Sequence, residues 1–205
     1  MIDRRAEILD LTLEHLWLVG IAMLVAVLVG LPLGILMTRS PALRKPILGS
    51  ANIMQTIPSL ALFGFLLPLP LIGQRADVLA IVALTLYALL PVIRNTYAGI
   101  EGVDPAMVEA ARGMGLSDRQ LLLYVQLPLA LGVIIAGIRV ATVISVGTAT
   151  IAAAVGAGGL GTFIFRGVAM VSNSLIMAGA IPAALLAILA DVLLGILERR
   201  LRRGW

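Results

Sequence analysis

Apolar residues fall into five long runs along the chain, separated by short polar stretches. The runs cover residues 16–37, 47–72, 78–93, 127–155 and 175–197. A helix needs about 20 apolar residues to cross the hydrocarbon core of a bilayer, and each run is long enough to cross, although the third is short and ends beside Pro91. The pattern predicts an all-α polytopic membrane protein with five transmembrane helices in a single domain, residues 1–205.

Composition agrees with this prediction and excludes most kinds of enzyme. Hydrophobic residues make up 60% of the chain and charged residues 13%, which leaves no room for a soluble catalytic domain. The chain has no cysteine and one histidine, His15, which we expect at the membrane interface near Trp17. A metal centre or a nucleophile–base pair cannot be assembled from such a set. The sole lysine, Lys45, lacks the glycine-rich context of a phosphate-binding loop, so we expect no enzyme activity, cofactor or metal in this chain.

The distribution of basic residues predicts the orientation of the helices. If the loop that follows the first run is cytoplasmic, alternation of five helices places ten of the 15 basic residues on that side, four on the other, and Arg139 within the fourth run. Cytoplasmic loops of membrane proteins carry an excess of Lys and Arg, so the N-terminus is expected outside and the C-terminus in the cytoplasm. Anionic lipid on that side suits these arginines, and we therefore expect a lipid partner rather than nucleic acid.

The polar stretch between the third and fourth runs, residues 94–126, has the sequence signals of two short helices. Asp104-Pro105 supplies an N-cap and a first-turn residue, and Gly115 is placed to end the first helix. Ser117-Asp118-Arg119-Gln120 matches a capping box for a second helix that runs toward Pro128. By itself the pattern fits either a protein-docking hairpin or an amphipathic hairpin that only connects two membrane helices.

The same stretch contains Glu109-Ala110-Ala111, three residues, Gly115, nine residues, and then Val125-Gln126-Leu127-Pro128. This spacing resembles the EAA signature of the permease subunits of ABC importers, in which isoleucine is usual at the position of Val125. The resemblance implies the MetI-like fold of type I importers, with residues 94–126 as a coupling loop that docks on an ATP-hydrolysing subunit. It assigns docking to Glu109, Ala110, Ala111, Gly115, Leu127 and Pro128, with Gly115 making the turn.

Three further stretches are similar to the branch of this family that imports osmoprotectants such as glycine betaine, carnitine and choline. They are residues 55–62, 87–96 and 156–161. The resemblance implies a bacterial inner-membrane subunit that forms half of a translocation path. It also implies the partners: a second permease copy or a homologous permease, a dimer of ATPase subunits that binds ATP and magnesium, and a substrate-binding protein outside the membrane. Permeases for methionine and polar amino acids remain an alternative, as does an ATP-independent channel or carrier.

Polar residues in the second and fourth runs are candidates for lining or gating the path. They are Gln55, Thr56, Pro58, Ser59, Arg139, Thr142, Ser145 and Thr148. Small and hydroxyl-bearing residues also hold membrane helices together, so both roles stay open. Arg139 is expected to pair with Asp191, to reach the cytoplasmic interface, or to repel a cationic substrate and gate the path. Proline is tolerated in lipid only where neighbours satisfy the freed backbone groups, so Pro58 predicts that the second helix faces protein.

Overall fold

The computed structural model describes residues 4–203, and this part of the chain is helical throughout, without a strand. The helices are α1 (Arg4–Arg39), α2 (Pro41–Thr56), α3 (Ser59–Leu66), α4 (Ala76–Glu101), α5 (Pro105–Gly113), α6 (Asp118–Leu121), α7 (Leu127–Ala152), α8 (Gly161–Ala169) and α9 (Asn173–Arg203). A π turn (Leu122–Gln126) joins α6 to α7, and a 3₁₀ turn (Ala153–Val155) follows α7. Residues 1–3 and 204–205 of the predicted 1–205 domain lie outside the described residues.

Four helical stretches of the described chain are long and apolar enough to cross a membrane. They are Arg5–Arg39, Ala76–Glu101, Asp118–Val155 and Asn173–Leu201. The predicted all-α membrane architecture is therefore confirmed. The second apolar run is not among the four, because it folds as the two shorter helices α2 and α3.

The break between α2 and α3 lies at Ile57 and Pro58. Ile57 is extended, with φ −69° and ψ 126°, as expected for a residue before proline. The Tyr87 hydroxyl of α4 donates a hydrogen bond to the Ile57 carbonyl. In return, Gln55 Nε2 donates to the Tyr87 carbonyl over 3.0 Å. Two side chains thus join the broken segment to α4.

The second of these hydrogen bonds explains why α4 continues through a proline. Pro91 has no N–H, so the carbonyl four residues earlier, that of Tyr87, loses its helical donor. Gln55 supplies the missing donor, and α4 runs on to Glu101, eight residues beyond the end of the predicted third span at Ile93. Helix α1 packs closely beside this part of α4, since a Cβ added to Gly34 would lie 2.5 Å from the Thr96 Cβ.

Side-chain contacts show which helix ends lie together. The Arg39 guanidinium, at the end of α1, contacts Asp118 at the start of α6. The Arg44 guanidinium of α2 lies 4.7 Å from the ring centre of Tyr97 in α4. The end of α1, the start of α2, the end of α4 and the α5–α6 hairpin therefore share one end of the bundle, which we call the loop end.

The opposite end carries the glycine-rich turn that follows α7, and we call it the turn end. There Arg166 of α8 pairs with Glu7 of α1 over 2.6 Å. The Gly159 N–H donates to Glu14 Oε2 over 3.0 Å. These contacts hold the start of α1 against the turn and α8.

His15 lies inside the bundle, although the sequence had suggested an interfacial position. Its side chain is fully buried, and Nε2 lies 3.1 Å from the Val146 carbonyl of α7. Trp17, two positions on, points away from the protein and is 62% exposed. Successive positions on a helix face different directions, so nearness in sequence to an interfacial tryptophan did not predict the environment of the histidine.

Candidate functional site

The hairpin at the loop end begins with a capped helix. The Asp104 carboxylate accepts a hydrogen bond from the Ala106 N–H over 2.9 Å, and Pro105 occupies the first turn of α5. Gly115 follows the helix with φ +84°, a left-handed conformation that favours glycine. The Leu116 N–H then donates to the Ala111 carbonyl over 3.2 Å and closes the turn. The predicted start and end of this helix are confirmed.

The second helix begins with the predicted capping box. The Gln120 N–H donates to Ser117 Oγ over 3.4 Å, and the Ser117 N–H donates to Gln120 Oε1 over 2.9 Å. From Asp118 the helical backbone continues through the π turn into α7 without a loop. The hairpin is therefore joined directly to a long apolar helix.

Pro128 gives a physical reason for the π turn. In an α-helix its ring would clash with the carbonyl of Tyr124, four residues earlier, and it has no N–H to donate. The wider turn relieves this conflict, and the Leu127 N–H donates to the Leu122 carbonyl, five residues earlier. Gln126 lies in the same turn, and its buried Oε1 has no hydrogen-bond partner among residues 4–203. The final residues of the sequence motif thus distort the helix locally.

A cleft of about 270 Å³ brings the two halves of the motif together. Glu109 lies on one wall and Gln126 on another, although 17 positions separate them in the sequence. The full lining is Ile100, Glu101, Val103, Pro105, Val108, Glu109, Arg112 and Gln126. Leu127 and Pro128 are half-buried where α7 begins. The two ends of the motif, which are far apart in the sequence, therefore lie on the walls of one cleft.

The outer face of α5 is apolar and is not covered by the other residues that the structure describes. Ala110 is exposed, as are Met107 and Met114, whereas Ala111 is only 2% exposed and faces the interior of the hairpin. Met107, Ala110 and Met114 recur at the spacing of one helix face. Neither methionine was among the site residues predicted from the sequence, although this periodicity is the signal that would have identified them.

Asp118 connects the hairpin to α1 as well as to α5. Arg39 Nη2 donates to the Asp118 carbonyl over 2.8 Å, and Arg39 Nη1 lies 3.7 Å from Asp118 Oδ1. Arg112 Nη2 lies 3.6 Å from the same carboxylate oxygen. No local pattern marks Arg39, because its partner is 79 positions away.

The candidate path residues of the second run lie around the α2–α3 break. The Gln55 amide is held by the Tyr87 carbonyl, as described above. Thr56 is exposed and donates to the Ile53 carbonyl over 2.8 Å. Pro58 is exposed beside it, and Ser59 is half-buried at the start of α3.

The candidates on α7 have different surroundings. Ser145 is buried, and its Oγ donates to Met23 Sδ of α1 over 3.6 Å. Thr142 donates to the Ile138 carbonyl over 2.8 Å and lines an apolar groove of about 500 Å³ between α1, α7 and α9. Thr148 is half-buried. The structure therefore directs Ser145 toward α1, and it places Thr142 in a groove whose walls are mostly aliphatic.

Arg139 pairs with acidic side chains of α9, which was one of the roles expected for it. Nε and Nη2 donate to the two carboxylate oxygens of Asp191 over 2.6 and 2.8 Å, and Nη1 donates to Glu198 Oε2 over 3.3 Å. Gly195 lies beneath the guanidinium, where an added Cβ would be 3.0 Å from Nη1. The three side chains together carry a formal charge of −1.

Relatives that match this sequence along nearly its whole length are transport permeases. Residues 30–203 match the family described as binding-protein-dependent transport system inner membrane component. The osmoprotectant import permease protein OsmW of Salmonella typhimurium is 44% identical over 196 residues, which cover 95% of this chain and 91% of the relative. The choline transport system permease protein OpuBB of Bacillus subtilis is 44% identical, covering 95% and 88%. The carnitine transport permease protein OpuCB of Listeria monocytogenes is 43% identical, covering 93% and 86%.

Solved structures show the same fold. The inward-facing methionine ABC transporter MetNI superposes with a TM-score of 0.86 at 22% identity, over 96% of this chain and 97% of that chain. An amino acid ABC transporter with histidines gives a TM-score of 0.73 at 21% identity, over 96% and 94%. These likenesses confirm the MetI-like fold predicted from the sequence. The chain therefore belongs to the family of binding-protein-dependent transport system inner membrane components and is a transport permease rather than an enzyme.

Proposed function

We propose that this permease forms half of the translocation path of an ATP-driven importer for a compatible solute such as glycine betaine, carnitine or choline. The observation that supports the proposal is that its relatives are named as permeases for these solutes. Permeases for osmoprotectants, carnitine and choline are 41–45% identical to the chain over at least 92% of its length. The amino-acid transporters resemble it at 21–24% identity, which supports a common fold and not a common solute.

The hairpin at the loop end is the proposed docking site for the ATPase subunits. Glu109 offers an exposed carboxylate, and Met107, Ala110 and Met114 offer an apolar face on which a partner can pack. Ala111 and Gly115 serve by shaping this surface, since Ala111 is buried and Gly115 makes the turn. Leu127 and Pro128 connect the surface to α7. ATP and magnesium are bound by the ATPase in this proposal.

Five membrane crossings follow if α2 and α3 together make one. Helices α2 and α3 have 16 and 8 residues, together about 36 Å of helix, which exceeds the hydrocarbon core of about 30 Å. The break at Pro58 then lies inside the membrane, where the Tyr87 hydroxyl satisfies the Ile57 carbonyl as lipid requires. With five crossings, the Arg-rich loop end faces the cytoplasm. The N-terminus then lies on the outer side of the inner membrane, and the C-terminus lies on its cytoplasmic side.

The remaining partners complete the path. A second permease copy or a homologous permease supplies the other half, and a substrate-binding protein delivers the solute outside the membrane. ATP binding closes the two ATPase subunits, draws the paired hairpins together and rocks the two helix bundles so that the path opens outward. Hydrolysis returns the bundles to their first position.

Reconstitution into liposomes with the cognate ATPase and binding protein tests this function. Uptake of labelled glycine betaine, carnitine and choline is compared with uptake of methionine and histidine, with and without ATP. We expect ATP-dependent uptake of at least one quaternary ammonium solute. ATP-dependent uptake of the amino acids alone would favour the related amino-acid importers. Uptake that needs neither ATP nor the ATPase would favour a channel or carrier.

A further inference from the structure

The hairpin at the loop end has a second connection to the membrane helices, through Arg39. The first kind of connection is covalent, because residues 102–104 join α4 to α5 and α6 continues into α7. The second is the hydrogen bond from Arg39 Nη2, at the last residue of α1, to the carbonyl of Asp118, the first residue of α6. Helix α1 would otherwise follow a movement of the hairpin only through packing.

The acceptor of this hydrogen bond is a backbone atom. The Asp118 carbonyl also accepts the Leu122 N–H within the helical backbone, and a carbonyl oxygen has lone pairs for both donors. Arg39 is therefore tied to the helix axis of α6 and not only to a side chain that can change its rotamer. The guanidinium suits this position, because its planar fork holds the carbonyl and approaches the carboxylate of the same residue.

Helix α1 is in turn closely fitted to α4. Gly30 and Gly34 face Val92 and Thr96 so closely that an added Cβ would overlap both neighbours. A displacement of the end of α1 must therefore be shared by α4, because packed helices have little free space between them. Tyr87 of α4 is hydrogen-bonded to the broken segment at Pro58, so the same displacement is transmitted to that segment.

We propose that Arg39 is a positioning residue that makes α1 move with the hairpin, in step with α4, when the ATPase subunits close. The inference rests on the proposed function, since it assumes that the hairpin is the docking site. Arg39 touches no solute and no nucleotide in this scheme. Its role is to pass a movement of the hairpin to α1 through the Asp118 carbonyl, while α4 and α7 receive that movement through the backbone.

The first test measures solute transported per ATP hydrolysed in the reconstituted importer. Arg39→Ala should lower this ratio about fivefold, a coupling loss of ordinary size, while the ATPase still copurifies with the permease. Asp118→Asn should stay near wild type, because it keeps the shorter contact to the carbonyl. Arg44→Ala is the matched control, since Arg44 lies at the same end over Tyr97. A wild-type ratio for Arg39→Ala, or an equal loss for Arg44→Ala, would overturn the inference.

The second test measures the movement itself. The chain has no cysteine, so cysteines placed at Ser40 and Arg119 can carry two spin labels without background. The distance between the labels should be the same in nucleotide-free and ATP-trapped complexes of the otherwise unchanged permease, and should change between these states once Arg39 is alanine. A distance that changes with Arg39 present contradicts the inference alone. Failure of the ATPase to bind unmodified permease would overturn the proposed function and the inference with it.

Discussion

Gln55 and Tyr87 each donate one hydrogen bond between two segments that each contain a proline, and the Gln55 bond joins the two residues directly. The Gln55 amide donates to the Tyr87 carbonyl, and the Tyr87 hydroxyl donates to the carbonyl of Ile57. Each bond satisfies a carbonyl that the helix geometry leaves open. The pair therefore lets a broken segment and an unbroken helix lie together in an apolar bundle.

Removing one hydroxyl from this pair should destabilise the protein. Tyr87→Phe leaves the Ile57 carbonyl without a donor, which costs about 1–3 kcal/mol for a buried group. We expect a lower unfolding temperature of the purified permease, together with reduced uptake. Tyr124→Phe is the control, because Tyr124 is 69% exposed. Equal unfolding temperatures for the two variants would show that the Tyr87 bond contributes little.

The turn after α5 allows a comparison of two glycines with open space around them. Gly115 has φ +84°, whereas Gly113 is the last residue of α5, and an added Cβ meets nothing within 4 Å at either position. Gly115→Ala should cost about 1–2 kcal/mol through the left-handed backbone, and Gly113→Ala should be neutral or slightly stabilising. The affinity of the ATPase for each variant is the measurement. Similar losses for both would refute a specific role of the turn.

Glu109 is expected to act at the surface and not in folding. Glu109→Ala should leave membrane insertion unchanged and weaken ATPase binding about tenfold, the size expected for one residue at the centre of an interface. Glu101→Ala removes the other carboxylate of the same cleft. Binding measured for both variants separates the motif residue from the overall charge of the cleft, and an equal loss would count against the motif.

The ion cluster on α7 and α9 makes a prediction about Arg139. Arg139→Gln leaves the Asp191 carboxylate without the guanidinium that pairs with it and removes one contact of Glu198, so we expect a lower unfolding temperature of the purified permease. Adding Asp191→Asn should recover stability. If pairing is the main role of Arg139, the double variant should recover uptake as well, whereas stability without uptake would indicate a gate.

Local sequence signals predicted the local structure well. The capping residues Asp104 and Ser117 and the turn at Gly115 lie where helix rules place them, because each depends on neighbours within a few positions. Hydropathy also found the long helices. It could not distinguish one spanning helix from the pair α2 and α3, since both have the same apolar composition.

Contacts between distant parts of the chain could not be predicted from the sequence. Arg39 meets Asp118 and His15 meets Val146 because of how the helices pack, and neither pair leaves a local pattern. Pro91 shows the same limit, since its helix continues only because Gln55, 36 positions earlier, donates to the Tyr87 carbonyl. The motif residues could be named, but the cleft that joins Glu109 to Gln126 required the fold.

The π turn before Pro128 gives the hairpin a preferred direction of adjustment. When one residue is added to a helix or removed from it, the part before that point rotates by about 100° relative to the part after it. A π turn contains one such extra residue. In an α-helical turn the ring of Pro128 would clash with the Tyr124 carbonyl, so the wider turn stays ahead of α7. A change of register must then rotate α6, and with it Asp118, while the apolar length of α7 keeps its orientation in the membrane.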